Sequence, residues 1–288
     1  MLLNYIEAKQ NDILKRLKTL DRILINNSYE ICNDPIFEKE YNLAMISYLL
    51  INDRFSKKNK NLTDNLYLKL LELQHSNGQY GVDFYDTTIA LKALLLESES
   101  YVETINKTVC FINENKDVWQ NDVKNNLYGI ATLVNLLDIV SLEVCNIDIN
   151  VTDCIYLIDN YIFTISNSLE EISVEHEGAI LYNYASAIRY LSRINSSIAF
   201  KHTNILEWIL NTQNNSGSWG GEKGFFTAYA LEILLLYSQS NNEGSPLYRK
   251  TIESIEKGIG YLLYNDNWII FINSVIVNNL FLGGIVID

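Results

Sequence analysis

The sequence predicts an all-α protein, a single α6/α6 toroid in which six helical hairpins form two concentric rings around a central cavity. Three observations predict this fold. Only two prolines and thirteen glycines occur in 288 residues, so long uninterrupted helices are expected. Amphipathic segments come in pairs, and the second segment of most pairs carries less charge than the first. A turn motif also recurs along the chain, as expected where one helical hairpin is repeated.

Apolar periodicity places the helices in order along the chain. The first pair covers residues 2–26, which are amphipathic, and residues 41–51, which are more apolar. Five more pairs follow at residues 62–74 and 84–97, 102–113 and 125–140, 153–166 and 177–194, 203–213 and 225–238, and 247–264 and 268–282. A polar helix followed by an apolar one predicts an outer ring and an inner ring.

The last apolar helix decides between a closed ring and an open helical solenoid, which is the competing layout. Residues 268–282 carry no charge, so the free end of a solenoid would expose them to water. Closure of the ring is therefore favoured. No change of composition marks a linker, and residues 1–288 are predicted to form one domain.

The recurring turn contains a glutamine, a glycine and an aromatic residue at fixed spacing. Glycine supplies the positive φ angle of a tight turn, the amide can bond free backbone groups at helix ends, and the ring covers apolar surface. The copies are, in decreasing order of clarity, Gln213, Gly217 and Trp219, then Gln74, Gly78 and Tyr80, then Asn113, Asp117 and Trp119. Asp86 follows the Gln74 copy, whereas no acidic residue stands at the matching place after the Gln213 copy.

Charge and cysteine usage restrict the partners and the compartment. A net charge of −13 argues against nucleic acid and against an anionic membrane surface. No secretory signal pattern opens the sequence, and the cysteines form no C-x-x-C pair, so we expect reduced, mostly buried thiols in a cytoplasmic protein. The apolar stretch at residues 268–287 contains asparagines, a serine and a Gly-Gly pair, which argue against a membrane span.

The glutamine–glycine–tryptophan turn, followed by Thr-Ala-x-Ala-Leu at residues 227–231, resembles the QW repeat of a known superfamily. That repeat occurs in squalene–hopene cyclases, oxidosqualene cyclases and plant class II diterpene cyclases. The same α6/α6 toroid houses the β subunit of protein prenyltransferases. The resemblance implies the toroid fold, and it implies chemistry less directly, because the repeat is a structural brace.

Residues 83–88 resemble the motif Asp-x-Asp-Asp-Thr-Ala, whose middle aspartate protonates the substrate in class II cyclases. Aligned on the threonine, Asp83 and Asp86 match the outer aspartates and Tyr85 takes the middle place. The resemblance implies that Asp86, assisted by Asp83 and Tyr85, is catalytic. Prenyltransferase β subunits have Asp-Phe-Tyr-His here, with the histidine on zinc. Asp86 replaces that histidine, and no Asp-x-Cys pair precedes it, so no catalytic zinc is expected.

The same two aspartates also have a purely structural reading. Acidic residues before and at a helix start cap its free N–H groups and balance its dipole. Acidic residues near other inner helix starts, Asp122, Glu175, Glu177 and Glu222, can be read in the same way. A magnesium ion, a cationic substrate or a sugar held by these carboxylates is the open alternative, and otherwise no metal or cofactor is expected.

The candidate substrate-binding residues lie on the inner helices. On the helix that begins near residue 84, Ala90, Ala93 and Glu97 share a face with Asp86. Aromatic side chains of the inner helices would line the cavity and stabilise a carbocation, as the resemblance implies, or would simply form the core. Few basic residues accompany them, which favours an uncharged or cationic ligand over a diphosphate. The complete set is Ala90, Ala93, Glu97, His176, Glu177, Tyr184, Phe226, Tyr229 and Trp268.

The predicted function is therefore that of a small stand-alone class II terpene cyclase-like protein. It would carry out an acid-initiated cyclisation, or a related transformation, of a hydrophobic isoprenoid or prenylated substrate. The alternative is a toroid that no longer cyclises and that binds a ligand, a peptide or a partner protein, with a homodimer included. A carbohydrate-active α6/α6 barrel with Asp86 and Glu177 as the acid–base pair is the lesser alternative.

Overall fold

The computed structural model describes residues 39–51, 59–125, 128–169, 174–220, 224–240 and 245–264, together with seven single residues before residue 39. The described residues form helices and turns without a β-strand, so the all-α prediction is confirmed. In chain order the helices are α1 (Lys39–Ile51), α2 (Lys60–Glu72), α3 (Phe84–Leu95), α4 (Val102–Glu114), α5 (Lys116–Asn125), α6 (Gly129–Ser141), α7 (Val151–Ser168), α8 (Val174–Ile194), α9 (Ser196–Ala199), α10 (Thr203–Asn211), α11 (Gly224–Gln239) and α12 (Pro246–Tyr264).

Most predicted helices are present with ends shifted by a few residues. The third copy of the turn was predicted wrongly. Asp117 and Trp119 lie inside helix α5 and form no turn. Without a glycine at position 117 the chain continues as a helix. The predicted helix at 125–140 consequently begins only at Gly129. The predicted helix at 268–282 lies outside the described residues, as does most of the one at 2–26.

The chain divides into two compact units. The first unit comprises residues 21–156, and the second comprises residues 1–20 and 157–288. Each unit contains one clear copy of the glutamine–glycine–aromatic turn. The assignment of residues 1–288 to one domain stays a prediction.

In the first unit the second helix of each pair lies in the interior. Helix α3 packs against α1 on one side and α6 on the other, while α2, α4 and α5 each pack against one of these three helices. Nearly every residue of α3 and α6 is buried. Lys92 of α3 joins two of the interior helices, since its Nζ donates to Oδ2 of Asp138 at 2.8 Å and to Oδ1 of Asn135 at 3.1 Å on α6.

The second unit repeats this arrangement around α8 and α11. These two helices pack against each other, and α12 packs against both α10 and α11. Arg189 of α8 forms a two-pronged ion pair with Glu232 of α11, in which Nη2 donates to Oε2 at 2.8 Å and Nε donates to Oε1 at 2.5 Å. Glu232 is only 1% exposed, whereas the Arg189 side chain is 35% exposed, so the pair joins a buried carboxylate to a half-buried cation. None of the described helices combines the length and apolarity that a membrane span requires.

The two turns are held by the same contacts to the next outer helix. Gly78 and Gly217 have φ angles of 97° and 94°, and a Cβ on either would collide with a backbone carbonyl oxygen, that of Lys107 in α4 or Lys257 in α12. Only glycine combines this conformation with so close an approach. Each turn therefore lies directly against the backbone of the next outer helix, which is α4 for the first turn and α12 for the second.

The glutamines and aromatic residues complete the two braces. Nε2 of Gln74 donates to the Thr104 carbonyl oxygen at 3.0 Å, and Nε2 of Gln213 donates to that of Ser254 at 2.9 Å. These acceptors lie in α4 and α12, the same helices that the two glycines contact. In each turn the N–H of the aromatic residue also donates to a threonine hydroxyl of the following helix at 3.1 Å, Tyr80 to Thr87 and Trp219 to Thr227. The braces of the two units are thus structural duplicates.

Replacing the turn glycines by alanine tests this constraint. We expect Gly78→Ala and Gly217→Ala each to lower the free energy of unfolding by more than about 1 kcal/mol, because alanine is strained at positive φ and its Cβ collides with a carbonyl group. Gly260→Ala in α12 is the matched control, since among the described residues its Cβ would meet nothing closer than the Tyr5 hydroxyl at 3.8 Å. Denaturant unfolding should show no loss for this control. Equal stability for all three variants would contradict the close contact.

Candidate functional site

Asp83 and Asp86 organise the start of α3. Asp83 is the N-cap residue, and its Oδ1 accepts a hydrogen bond from the Asp86 backbone N–H at 2.9 Å. Oδ2 of Asp86 accepts from the Val82 backbone N–H at 3.3 Å. The Asp86 carboxylate also lies directly over Gly81, which has a φ angle of 58°. Both side chains are partly exposed, and both serve the turn as hydrogen-bond acceptors.

Tyr85 is the central member of a cluster of three tyrosines from the first unit. Its side chain is buried, and its hydroxyl is hydrogen-bonded to the Tyr48 hydroxyl of α1. Its ring stacks on that of Tyr128, the N-cap residue of α6, with centroids 5.3 Å apart. Tyr48 was not singled out from the sequence, because periodicity alone does not show which interior helix faces Tyr85. Tyr128 is partly exposed, so the cluster reaches the surface of the unit.

The other predicted residues of α3 differ in their exposure. Ala90 and Ala93 are completely buried, and the Ala93 carbonyl oxygen accepts a hydrogen bond from the Tyr67 hydroxyl at 3.1 Å. Glu97 is exposed and lies beyond the end of α3 at Leu95, although the sequence predicted a helix that includes it. The predicted common face therefore does not line one cavity. Asp86 is partly exposed, Ala90 and Ala93 lie in the closed core, and Glu97 is in contact with solvent.

Glu177 is the most deeply buried carboxyl group among the candidates. It lies near the start of α8, is 8% exposed, and accepts a hydrogen bond from the Gly220 backbone N–H of the second turn. Its Oε1 is buried without any hydrogen-bond partner. Burial raises the pKa of Glu177, and the bond from Gly220 offsets part of that rise.

Phe226 lies beside Glu177 and is held by two glycines. A Cβ on Gly178 of α8 or on Gly220 of the turn would collide with its ring, so both positions must be glycine for the ring to occupy this place. Gly220 has a φ angle of 63°, matching Gly81 in the first turn. Phe226 therefore occupies, over its glycine, the place that Asp86 occupies in the first unit.

The remaining candidates of the second unit are aromatic. Tyr184 of α8 is buried, its hydroxyl has no hydrogen-bond partner, and burial raises its pKa above the ordinary range. Tyr229 of α11 is buried and packs against Tyr182, with ring centroids 4.8 Å apart. His176 belongs to α8, but its side chain is outside the description, and Trp268 lies outside the described residues.

The candidates thus form two groups, one in each unit. Asp83, Tyr85, Asp86, Ala90 and Ala93 belong to the first, while Glu177, Tyr184, Phe226 and Tyr229 belong to the second. Within the part of the chain that the structure describes, no three His, Cys, Asp or Glu side chains are grouped so that they could hold a metal ion. Comparisons with protein-family models, with curated proteins and with solved structures find no match to this chain.

The cysteine prediction needs a correction. Cys110 is exposed, although mostly buried thiols were expected, because it lies on the outward face of the amphipathic helix α4. The histidines differ in exposure, and His75 lies exposed in the first turn. His202 has a buried Nε2 without a partner among the described residues, and its ring packs edge-on to that of Phe163.

The capping role of Asp83 can be measured separately from any catalytic role. We expect Asp83→Ala to lower the free energy of unfolding by about 0.5–2 kcal/mol, because the Asp86 N–H loses its acceptor. Asp83→Asn is the matched control, since asparagine caps a helix about as well as aspartate. Chemical denaturation of the two variants and the wild type checks this. An equal loss for both variants would show that the charge, and not the cap, stabilises the turn.

The buried carboxyl of Glu177 predicts a pH-dependent stability. Its pKa is raised in the folded state, so the folded protein holds this proton where the unfolded chain has lost it. The Glu177 contribution to stability should therefore fall as pH rises from the ordinary value of 4.5 through the higher folded-state pKa. We expect Glu177→Gln to remove this slope, while Glu207→Gln, at an exposed position of α10, should keep it. Unfolding measured between acid and neutral pH distinguishes them, and parallel curves for wild type and Glu177→Gln would refute the prediction.

Proposed function

We propose that this chain is a relative of the class II terpene cyclases, a six-hairpin α6/α6 toroid with a central cavity. Its ligand is a hydrophobic isoprenoid or prenylated molecule. Asp86 starts the reaction by giving a proton to the substrate, with Asp83 and Tyr85 beside it. The proposal needs no cofactor, and it places the protein in the cytoplasm.

The observation that carries the proposal is the difference between two otherwise equal turns. Both units keep the glutamine brace, the two positive-φ glycines and the bond to threonine. The second turn nevertheless has Phe226 where the first has Asp86. The second turn receives its carboxyl group from Glu177 of the preceding helix, so the brace does not require an acid at the start of the following helix. A functional role is a physical reason for keeping Asp86 there.

The tyrosines around Asp86 support the same function. Tyr85 stands where the family has its proton-donating aspartate, and its hydroxyl already exchanges a hydrogen bond with that of Tyr48. The stacked rings of Tyr85 and Tyr128 lie at the same end of the unit. Aromatic faces stabilise positive charge, which a protonated alkene carries as a carbocation.

Replacing the proposed acid by its amide is the direct test. With linear isoprenoids and prenylated compounds as substrates, we expect Asp86→Asn to lower product formation by about 10²- to 10⁴-fold, since a general acid contributes about that much. The amide keeps an oxygen for the Val82 N–H, so the turn should still fold. Asp117→Asn, at an exposed position of α5, is the matched control and should retain activity. Products are separated and identified by gas chromatography and mass spectrometry. Equal product from wild type and Asp86→Asn, or none from either, contradicts the proposal.

A second candidate function is binding without cyclisation. The engagement of both carboxylates in the turn favours it, because Asp83 and Asp86 each accept a backbone hydrogen bond there. In that case the toroid binds a ligand, a peptide, a partner protein or a second copy of itself. Its signature is binding of a fluorescent isoprenoid that survives the double variant Asp83→Asn, Asp86→Asn with an unchanged Kd, in a protein that forms no product.

A further inference from the structure

The carboxyl group of Glu177 has a place in the fold that capping does not explain. One oxygen accepts a hydrogen bond from the Gly220 N–H. The other, Oε1, is buried without a hydrogen-bond partner among the described residues. Polar atoms in protein interiors nearly always have a hydrogen-bond partner, and the exceptions call for an explanation. Leaving a carboxyl oxygen unsatisfied costs free energy, and a glutamine or an apolar side chain would fill the same space.

The two turns receive their carboxyl groups from different helices. In the first unit, the carboxylate that lies over Gly81 comes from Asp86 on the following helix. In the second unit, Phe226 takes that place, and the turn receives a carboxyl group from Glu177 on the preceding interior helix instead. Each unit therefore has a carboxyl group against the second glycine of its turn. The group in the first unit is partly exposed, whereas the group in the second is buried.

The surroundings of Glu177 favour its neutral form. The described ionisable side chains of the helix packed against it, α11, are those of Tyr229, Glu232 and Tyr237, and none of them is a cation. Arg189, on the same helix as Glu177, is bound on two nitrogens by Glu232. A buried carboxyl holds its proton more tightly than an exposed one, and this is the environment that enzymes use for a general acid.

We propose that Glu177 is a second acid, which gives its proton to an alkene carbon of a hydrophobic, isoprenoid-type ligand that takes the place of the Phe226 ring. The substrate class rests on the proposed function, but the acid and the site are different ones. Because Gly178 and Gly220 have no side chains, the Phe226 ring lies directly on their backbone. A flat hydrocarbon chain would fit against the same backbone surface.

The step balances without a further reactant. The O–H bond of Glu177 breaks, the π electrons of the alkene form the new C–H bond, and the neighbouring carbon becomes a carbocation. The carboxylate that remains keeps the Gly220 N–H. Return of a proton from an adjacent carbon to the carboxylate restores both the double bond and the neutral acid. The overall reaction is an isomerisation.

An ammonium ion of similar shape should bind in place of the carbocation and drive the proton off Glu177. The probe is N,N-dimethyldodecylamine, used below its micelle concentration, with dodecanol as the uncharged control. Calorimetric titration at pH 4.5, the ordinary pKa of a glutamate, in two buffers of different ionisation enthalpy, counts the protons released on binding. We expect the wild type to release protons with the amine and none with dodecanol, because a protonated carboxyl must ionise to pair with the cation.

The variants separate this inference from the role proposed for Asp86. Glu177→Gln should abolish the proton release and weaken amine binding at least tenfold, while Asp86→Asn and the exposed control Glu207→Gln should release as much as the wild type. Circular dichroism confirms that each variant is folded. If Asp86→Asn alone abolishes the release, Asp86 is the acid that loses the proton and the inference for Glu177 fails. The inference also fails if Glu177→Gln releases the same proton or if no amine binds.

Discussion

Within each unit, a close contact of the same kind between a turn and a helix backbone holds the helices in place. A glycine at positive φ lies against a carbonyl group, Gly78 on that of Lys107 and Gly217 on that of Lys257. No side chain fits there, and the neighbouring glutamine amide reaches the same helix. The turn, the helix it contacts and the interior helix that begins after it are consequently placed as one piece. The candidate acids stand where that interior helix begins.

One scaffold thus presents two different environments for a carboxyl group. In the first unit the acid, Asp86, is partly exposed, accepts a hydrogen bond from the Val82 backbone N–H and lies over Gly81. In the second unit the acid is Glu177 of α8, the interior helix that precedes the turn. It lies beside Phe226 and the two glycines, Gly178 and Gly220, that the Phe226 ring contacts. The same backbone geometry therefore supports a solvated carboxylate in one place and a desolvated one in the other. Local composition, and not the fold, decides how far each carboxyl group is exposed to water.

Much of the fold follows from local pattern, because glycine, glutamine and an aromatic ring at fixed spacing require one backbone conformation. The turns at Gly78 and Gly217 were predictable for this reason, and Asp83 was recognisable as a cap. Trp119 has the right spacing but no glycine before it, so it continues a helix that the motif did not predict. The burial of Glu177 and the contact of Tyr48 with Tyr85 could not be predicted, since each depends on which faces of two distant helices meet.

The ion pair between Arg189 and Glu232 fixes the axial register of two interior helices. A helix rises about 1.5 Å per residue, so Arg189 lies roughly 18 Å along α8 from Glu177. Glu232 is nearly inaccessible to solvent, and sliding α8 by a single turn would strand a charge in the interior. The pair therefore sets how α8 and α11 align along their axes. The position of Glu177 relative to Phe226, toward the other end of α8, depends on that alignment.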